Sequence, residues 1–312
     1  MSRVATRITR SGRMLEDAFF RKAKAAGFVA RSAYKLEELQ RRFRLIPPRG
    51  AVLDLGCHPG AWLQVACREL GPRGGAVVGV DINAAVAVPQ RHCDARVRVL
   101  CADARDLTPE NWRELIPADK DGFDAVLSDM CHATLGAGGA DAARSAQLVR
   151  TALDVALGEG WEDDEREAEK EEEEEEGGGG DEGGEREKTE REEGEGTWGE
   201  GRGGSGAKEG GGDGEERARR GVLAYGGNVA LKILQGPETP ALGVALRRRF
   251  AKVAWLRPQA TRSESSETYL VGLGRLTDAE RRTLDQQKRE KKMHEKAKKL
   301  QKKNKRAKKK NK

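Results

Sequence analysis

From residue 51 to residue 157 the chain switches back and forth between two hydrophobic periods, and this restricts its fold more than any other feature. Short strand-like runs stand at "AVLDLG" (51–56), "AVVGVDI" (76–82), "VRVLCAD" (97–103) and "FDAVLSDM" (123–130). Helical patterns follow the first, third and fourth, near Trp62 to Leu70, Glu110 to Ile116 and Ala140 to Leu157. The alternation resumes at "NVALKIL" (228–234), with a helix near Pro240 to Phe250 and two closing strands, "KVAWLRP" (252–258) and "ETYLVGLG" (267–274). A strand that must be covered by a helix before the next strand begins gives a parallel sheet with helices on both faces. The expected fold is therefore α/β: a doubly wound, mostly parallel, seven-stranded sheet. No helix separates the last two strands, so the last strand is expected to be antiparallel.

The series is broken between residues 158 and 220 by an acidic Glu/Gly-rich run that includes "EKEEEEEEGGGGDEGGEREK". This run has almost no apolar residues to offset its ordering entropy, so disorder is expected there. It holds about 26 acids and far fewer bases, so the rest of the chain is much more basic than the formal +6 of the whole. A basic body points to a polyanionic partner such as RNA or DNA. The sequence thus divides into a basic segment (1–14), a two-part domain (15–157 and 221–274), the acidic insert (158–220) and a Lys-rich tail (275–312). The insert falls where a helix returns to a strand. In a doubly wound sheet that is the edge opposite the ligand-binding edge, so the insert should hang away from the site.

Two features carry chemistry. The first is Lys232, in the middle of the apolar run "NVALKIL". Desolvating an ammonium is costly, and an edge strand or a snorkelling stem would avoid that cost. The second is the loop "DLGCHPGAW" (54–62), where Gly56 allows a tight turn and Gly60 lets the backbone approach a ligand. Asp81 ends the second strand, where an acid accepts hydrogen bonds from ribose hydroxyls. Asp103 ends the third, where it can face an adenine amino group. A glycine loop followed by two strand-ending acids fits an adenosine cofactor; acids that merely terminate strands are the alternative.

Together with "RSAYKLEELQ", "SDM", "LKILQG" and "ATRSESSETYLVGLG", this loop resembles the FtsJ (RrmJ) family of ribose 2′-O-methyltransferases, over about residues 15–157 and 221–274. The resemblance implies S-adenosyl-L-methionine as cofactor and RNA, most simply large-subunit ribosomal RNA, as substrate. It implies a catalytic set on Lys35, Asp129, Lys232 and Glu267. It also implies cofactor contacts at Gly56, Pro59, Gly60, Trp62, Asp81, Asp103 and Asp129. No metal is implied, because a sulfonium is already an activated leaving group. Lys232 would be the base for the ribose hydroxyl, provided that it is neutral. Burial and the Lys35 cation favour that form, whereas Asp129 and Glu267 oppose it. Lys35 lies on a helical pattern beside the stripe Leu36, Leu39 and Phe43, from which it can reach the rim of the sheet. Methylation of transfer RNA or of an mRNA cap, and a non-catalytic RNA-binding assembly protein, are the competing readings.

One departure stands out. Many relatives continue "SDM" with Ala-Pro, whereas this chain has Cys131-His132, and Cys57-His58 lies in the neighbouring loop. Two facing Cys-His pairs could bind zinc; loop residues lining the methionine end of the cofactor are the simpler reading. The five cysteines form no regular framework, so reduced thiols and an intracellular setting are expected. No apolar run is long enough to cross a membrane. "MSRVATRITRSGR" is basic and free of acids, which suits a mitochondrial or plastid address, with the nucleus or nucleolus as the alternative. "TDAE" (277–280) is a capping box. No apolar stripe follows it, so the tail is expected to be a frayed helix or an unfolded arm that contacts RNA. A monomer is expected.

Overall fold

The structure is a computed structural model that describes residues 18–83, 85, 87–133, 136, 138–166 and 221–310. The basic segment 1–14 and the part of the acidic insert from 167 to 220 lie outside the described residues.

Two helices, α1 (Ala18–Ala26) and α2 (Ala33–Phe43), precede the sheet. The sheet strands are β1 (Ala51–Leu55), β2 (Ala76–Asp81), β3 (Val97–Cys101), β4 (Phe123–Ser128), β5 (Leu223–Leu234), β6 (Phe250–Leu256) and β7 (Glu267–Arg275). Between them lie α3 (Ala61–Glu69), α4 (Pro109–Leu115), α5 (Gly138–Leu157) and α6 (Thr239–Arg249), and α7 (Asp278–Lys310) closes the described chain. The strand order is β3-β2-β1-β4-β5-β7-β6. Strands β1 to β5 pair in parallel, and β7 runs antiparallel to both β5 and β6. This is the doubly wound, seven-stranded sheet expected from the alternation.

The alternation works because each central strand buries both faces. All five residues of β1 are buried. Val52 and Ala125 point to the layer of α1, α2 and α3, with Leu36, Leu39, Leu63 and Tyr269. Leu53 and Val126 point to the layer of α4, α5 and α6, with Trp112, Leu153 and Leu246. At about 25 cal/mol per Å² of apolar surface buried, these two layers are the main stabilising term.

Two boundaries differ from the sequence reading. Strand β5 begins at Leu223, five residues earlier than the apolar run, and its pairing with β4 is irregular between Phe123 and Ala125. Gly226 and Gly227 look like a break, yet they sit in this irregular stretch; Gly226 takes a positive φ of 78°. The second difference is at the insert. Residues 158–166 pack on the domain, and 161–166 are helical. Trp161 is fully buried and its indole donates to Asp154 (2.8 Å). Glu165 pairs with Arg150 (2.8 Å), and Asp164 pairs with Arg249 and with Arg281 (3.3 Å). The ordered unit therefore continues nine residues into the run that composition marks as insert. The run leaves after this helix and returns at Gly221, just before β5 starts. Both points lie at the edge where the parallel strands begin.

Candidate active site

The opposite edge of the sheet, where β1, β4 and β5 end and β7 begins, gathers the charged residues. Lys232 lies two residues from the end of β5, an internal strand between β4 and β7. Its Nζ is 3.0 Å from Asp129 Oδ1 and donates to the Asp129 carbonyl oxygen at 2.5 Å. Asp129 immediately follows β4. Across the antiparallel ladder, Lys232 is in register with Tyr269. The phenol of Tyr269 donates to Asp129 Oδ1 at 2.8 Å. Two residues earlier, Glu267 opens β7 and meets Lys35 of α2, Nζ to Oε1 2.5 Å. The Lys35 ammonium is 6.0 Å from the centre of the Tyr269 ring. Lys35, Asp129, Lys232 and Glu267 are thus brought together as two ion pairs joined through one tyrosine. Both lysines are only 7% exposed.

The pairing decides the charge on Lys232. Burial pulls its pKa down most strongly of any single influence, but Asp129, then Cys131 and Glu267, together push it above the ordinary lysine value. Of the opposing influences set out from the sequence, the acids outweigh the rest here: Lys35 is paired with Glu267, and Asp129 sits directly against Lys232. The Tyr269 phenol is pushed well up by burial and by the Asp129 and Glu267 charges, so it stays a donor.

Beside this group lies a nest of carboxyls. Asp81 ends β2 and accepts backbone N–H bonds from His58 (2.9 Å) and Asn83 (2.8 Å). Asp54, inside β1, is completely buried, and neither of its carboxyl oxygens has a hydrogen-bond partner. Burial first, then the Asp129 and Asp81 charges, hold its pKa well above the usual carboxylate range. The charges of Asp129 and Asp81 reach Asp54, so a cation entering at this edge would meet a negative potential. Next to them, α3 starts at Ala61 behind Gly60 with no side-chain cap, which leaves its first N–H groups for an anion. Gly56 (φ 75°) and Gly60 (φ 102°) make this turn possible; a Cβ on Gly60 would come within 2.5 Å of Pro89. A ligand with an ammonium, a carboxylate and a second positive centre fits this donor set, as S-adenosylmethionine does.

The other expected contacts fare differently. Asp103 lies two residues beyond the end of β3 and is paired with Arg105 (2.6 Å), which holds its pKa low. Pro59 is exposed in the loop. Trp62 is buried: its indole donates to the Ser32 carbonyl (2.9 Å) and its ring packs 5.7 Å from Tyr269. Its side chain is therefore committed to the core, and only its backbone N–H, in the first turn of α3, remains for a ligand.

The FtsJ-like methyltransferase profile matches residues 28–161 and 215–275, on both sides of the acidic run. The chain belongs to this family. It is 32% identical over 259 residues to a protein of Syntrophobacter fumaroxidans named ribosomal RNA large subunit methyltransferase E, covering 83% of this chain and 95% of that one. A protein of the same name from Desulfosudis oleivorans is 40% identical over 146 residues, 47% of this chain and 66% of the other. A third, from Anaeromyxobacter sp. strain Fw109-5, is 32% identical over 266 residues, 85% and 71% of the two chains.

Within this FtsJ-like site the two Cys-His pairs go separate ways. Cys57 is buried, and its thiol lies where a Cβ on Gly79 of β2 would come within 2.7 Å. Cys131 is exposed and donates to the His132 carbonyl (3.3 Å). His132 turns to Asp141 at the start of α5 (3.4 Å). Among the described residues no group of three or more His, Cys, Asp and Glu is arranged to hold a metal.

Asp54 and Tyr269 escaped the sequence reading. Asp54 breaks the apolar run "AVLDL" as Lys232 breaks its own, and the same argument applied there would have found it. Tyr269 carried no such signal, because its role comes from the register between β5 and β7.

Proposed function

We propose that this FtsJ-like methyltransferase transfers the methyl group of S-adenosylmethionine to a ribose 2′-hydroxyl of large-subunit ribosomal RNA. The observation that carries the reading is the double ion pair, Lys35–Glu267 and Lys232–Asp129, beside the unpartnered carboxyl of Asp54. The shared name of the relatives supports ribosomal RNA as the substrate class. Asp81 would hold the cofactor's ribose, Asp103 its adenine, Asp54 and Asp129 its positive groups, and the first N–H groups of α3 its carboxylate. Bound there, the cofactor supplies a methyl group already activated by a sulfonium.

The protein's own work is positioning and proton control. Lys35, held by Glu267, and Lys232, held by Asp129, present two ammonium groups to the acceptor ribose. Tyr269 locks Asp129 so that the Lys232 proton has a fixed home. Lys232 takes the hydroxyl proton only in the fraction of molecules where it has shed its own. Because its pKa is raised above the ordinary lysine value, that fraction is small at neutral pH and grows as pH rises.

The test uses the purified protein, labelled S-adenosylmethionine and ribosomal particles, with Lys232→Ala as control. A labelled ribose 2′-oxygen in large-subunit RNA, absent with the variant, is the expected result. Label on transfer RNA would move the substrate, and no label with intact cofactor binding would overturn the enzymatic reading.

A further inference from the structure

Helix α7 is 33 residues long, about 50 Å by helical rise. Its root is mounted on the domain. Thr277 and Glu280 cap it reciprocally: the Thr277 N–H donates to the Glu280 carboxylate (2.8 Å) and the Glu280 N–H to Thr277 Oγ1 (3.3 Å). The Leu276 N–H donates to the Arg249 carbonyl (2.8 Å), and Arg281 pairs with the buried Asp164 (3.3 Å). The tail therefore starts as a helix fixed to the domain, at the capping box read from the sequence.

The place of this root matters. Strand β7 leaves the catalytic edge at Glu267 and reaches the other edge at Arg275. Eight residue steps cover about 27 Å. The helix starts there, across the full depth of the sheet from the double ion pair.

From Lys288 to Lys310 the helix carries about one Lys or Arg per 2.4 Å of axis. In the sequence lysines recur at i and i+4, in Lys288/Lys292, Lys298/Lys302 and Lys305/Lys309, a spacing that destabilises a bare helix. A protein partner would need buried apolar anchors, and Met293 and Leu300 are the only large apolar side chains in this stretch. A polyanion needs no anchors and relieves the repulsion. The charge spacing lies between that of a nucleic-acid duplex, about one phosphate per 1.7 Å, and that of one strand, about one per 3.4 Å, so it is denser than a single strand requires.

We propose that α7 is a second RNA site that grips the phosphate backbone of a double-stranded segment of the same RNA whose ribose enters the catalytic edge. Only the identity of that RNA rests on the proposed function. The enzyme then holds a folded substrate at two places, one for chemistry and one for affinity.

The test compares the full-length protein with a variant carrying Lys298→Gln, Lys299→Gln, Lys302→Gln and Lys303→Gln. Glutamine keeps helix propensity and removes charge. Binding to a short labelled RNA duplex is measured across a salt series. The expected result is a Kd at least about tenfold higher, with the slope of log affinity against log salt reduced by about three to four. Affinity for S-adenosylhomocysteine should stay the same. An unchanged duplex affinity and slope would overturn the proposal. Unchanged duplex affinity with lost binding to polyglutamate would replace it with an acidic protein partner. Binding is read without turnover, so either result leaves the methyl-transfer reading to be judged on its own test.

Discussion

Lys232 keeps its proton in the resting protein because Asp129 is worth more to it than water would be. Turnover should therefore climb with pH from neutrality well into the alkaline range, measured as kcat on saturating RNA; a flat profile would take Lys232 out of proton transfer. Lys232→Ala should cost at least about a hundredfold in kcat while cofactor affinity stays within about twofold. The sign for stability runs the other way. A raised lysine pKa stabilises the fold fully below the ordinary value of about 10.4 and loses that contribution as pH rises through the folded value. Asp54 is the converse case. Its raised pKa means that the folded state binds a proton the unfolded chain would release, so stability declines as pH climbs from about 4 toward the folded value. Asp54→Asn should raise stability at neutral pH by about 1–3 kcal/mol and weaken cofactor binding at least about tenfold. Calorimetric melting and isothermal titration with S-adenosylhomocysteine would measure both. Equal cofactor affinity would remove Asp54 from the site.

At the scale of elements, most of the fold was legible because each strand and helix agreed with its own hydrophobic period. The failures have local causes. Gly226 and Gly227 in β5 look like a turn, yet they lie in the irregular stretch between Leu223 and Asn228, the residues that pair with β4 on either side. Residues 158–166 read as part of the acidic run because composition averages over a window. It weighs one tryptophan lightly, although the core does not. Trp161→Ala should destabilise the domain by about 3–5 kcal/mol, seen as a lower melting temperature. Deleting 167–220 should leave turnover within about twofold, whereas a deletion beginning at 160 should melt far lower, because it removes Trp161 and Asp164. Equal stability of the two deletions would contradict this boundary. The tetrad itself was visible residue by residue through the family motifs. Which lysine meets which acid was not, since that depends on β7 running backwards beside β5.

At the scale of the whole molecule, one edge of the sheet holds the double ion pair, and the other holds both the root of α7 and the exit of the acidic run. The reversed strand also fixes an order of events during synthesis. β6 is made before β7 but has no neighbour in the sheet until β7 fills the place beside β5. Glu267, the partner of Lys35, arrives with that same strand. A nascent chain stalled before Glu267 therefore has its cofactor loops and three of its four tetrad residues, yet neither its seventh strand nor its closing ion pair. Pulsed proteolysis of such stalled chains should cut β6 freely and spare β1 to β5. Competence to react then appears in a single late step, when the ribosome has already delivered most of the protein.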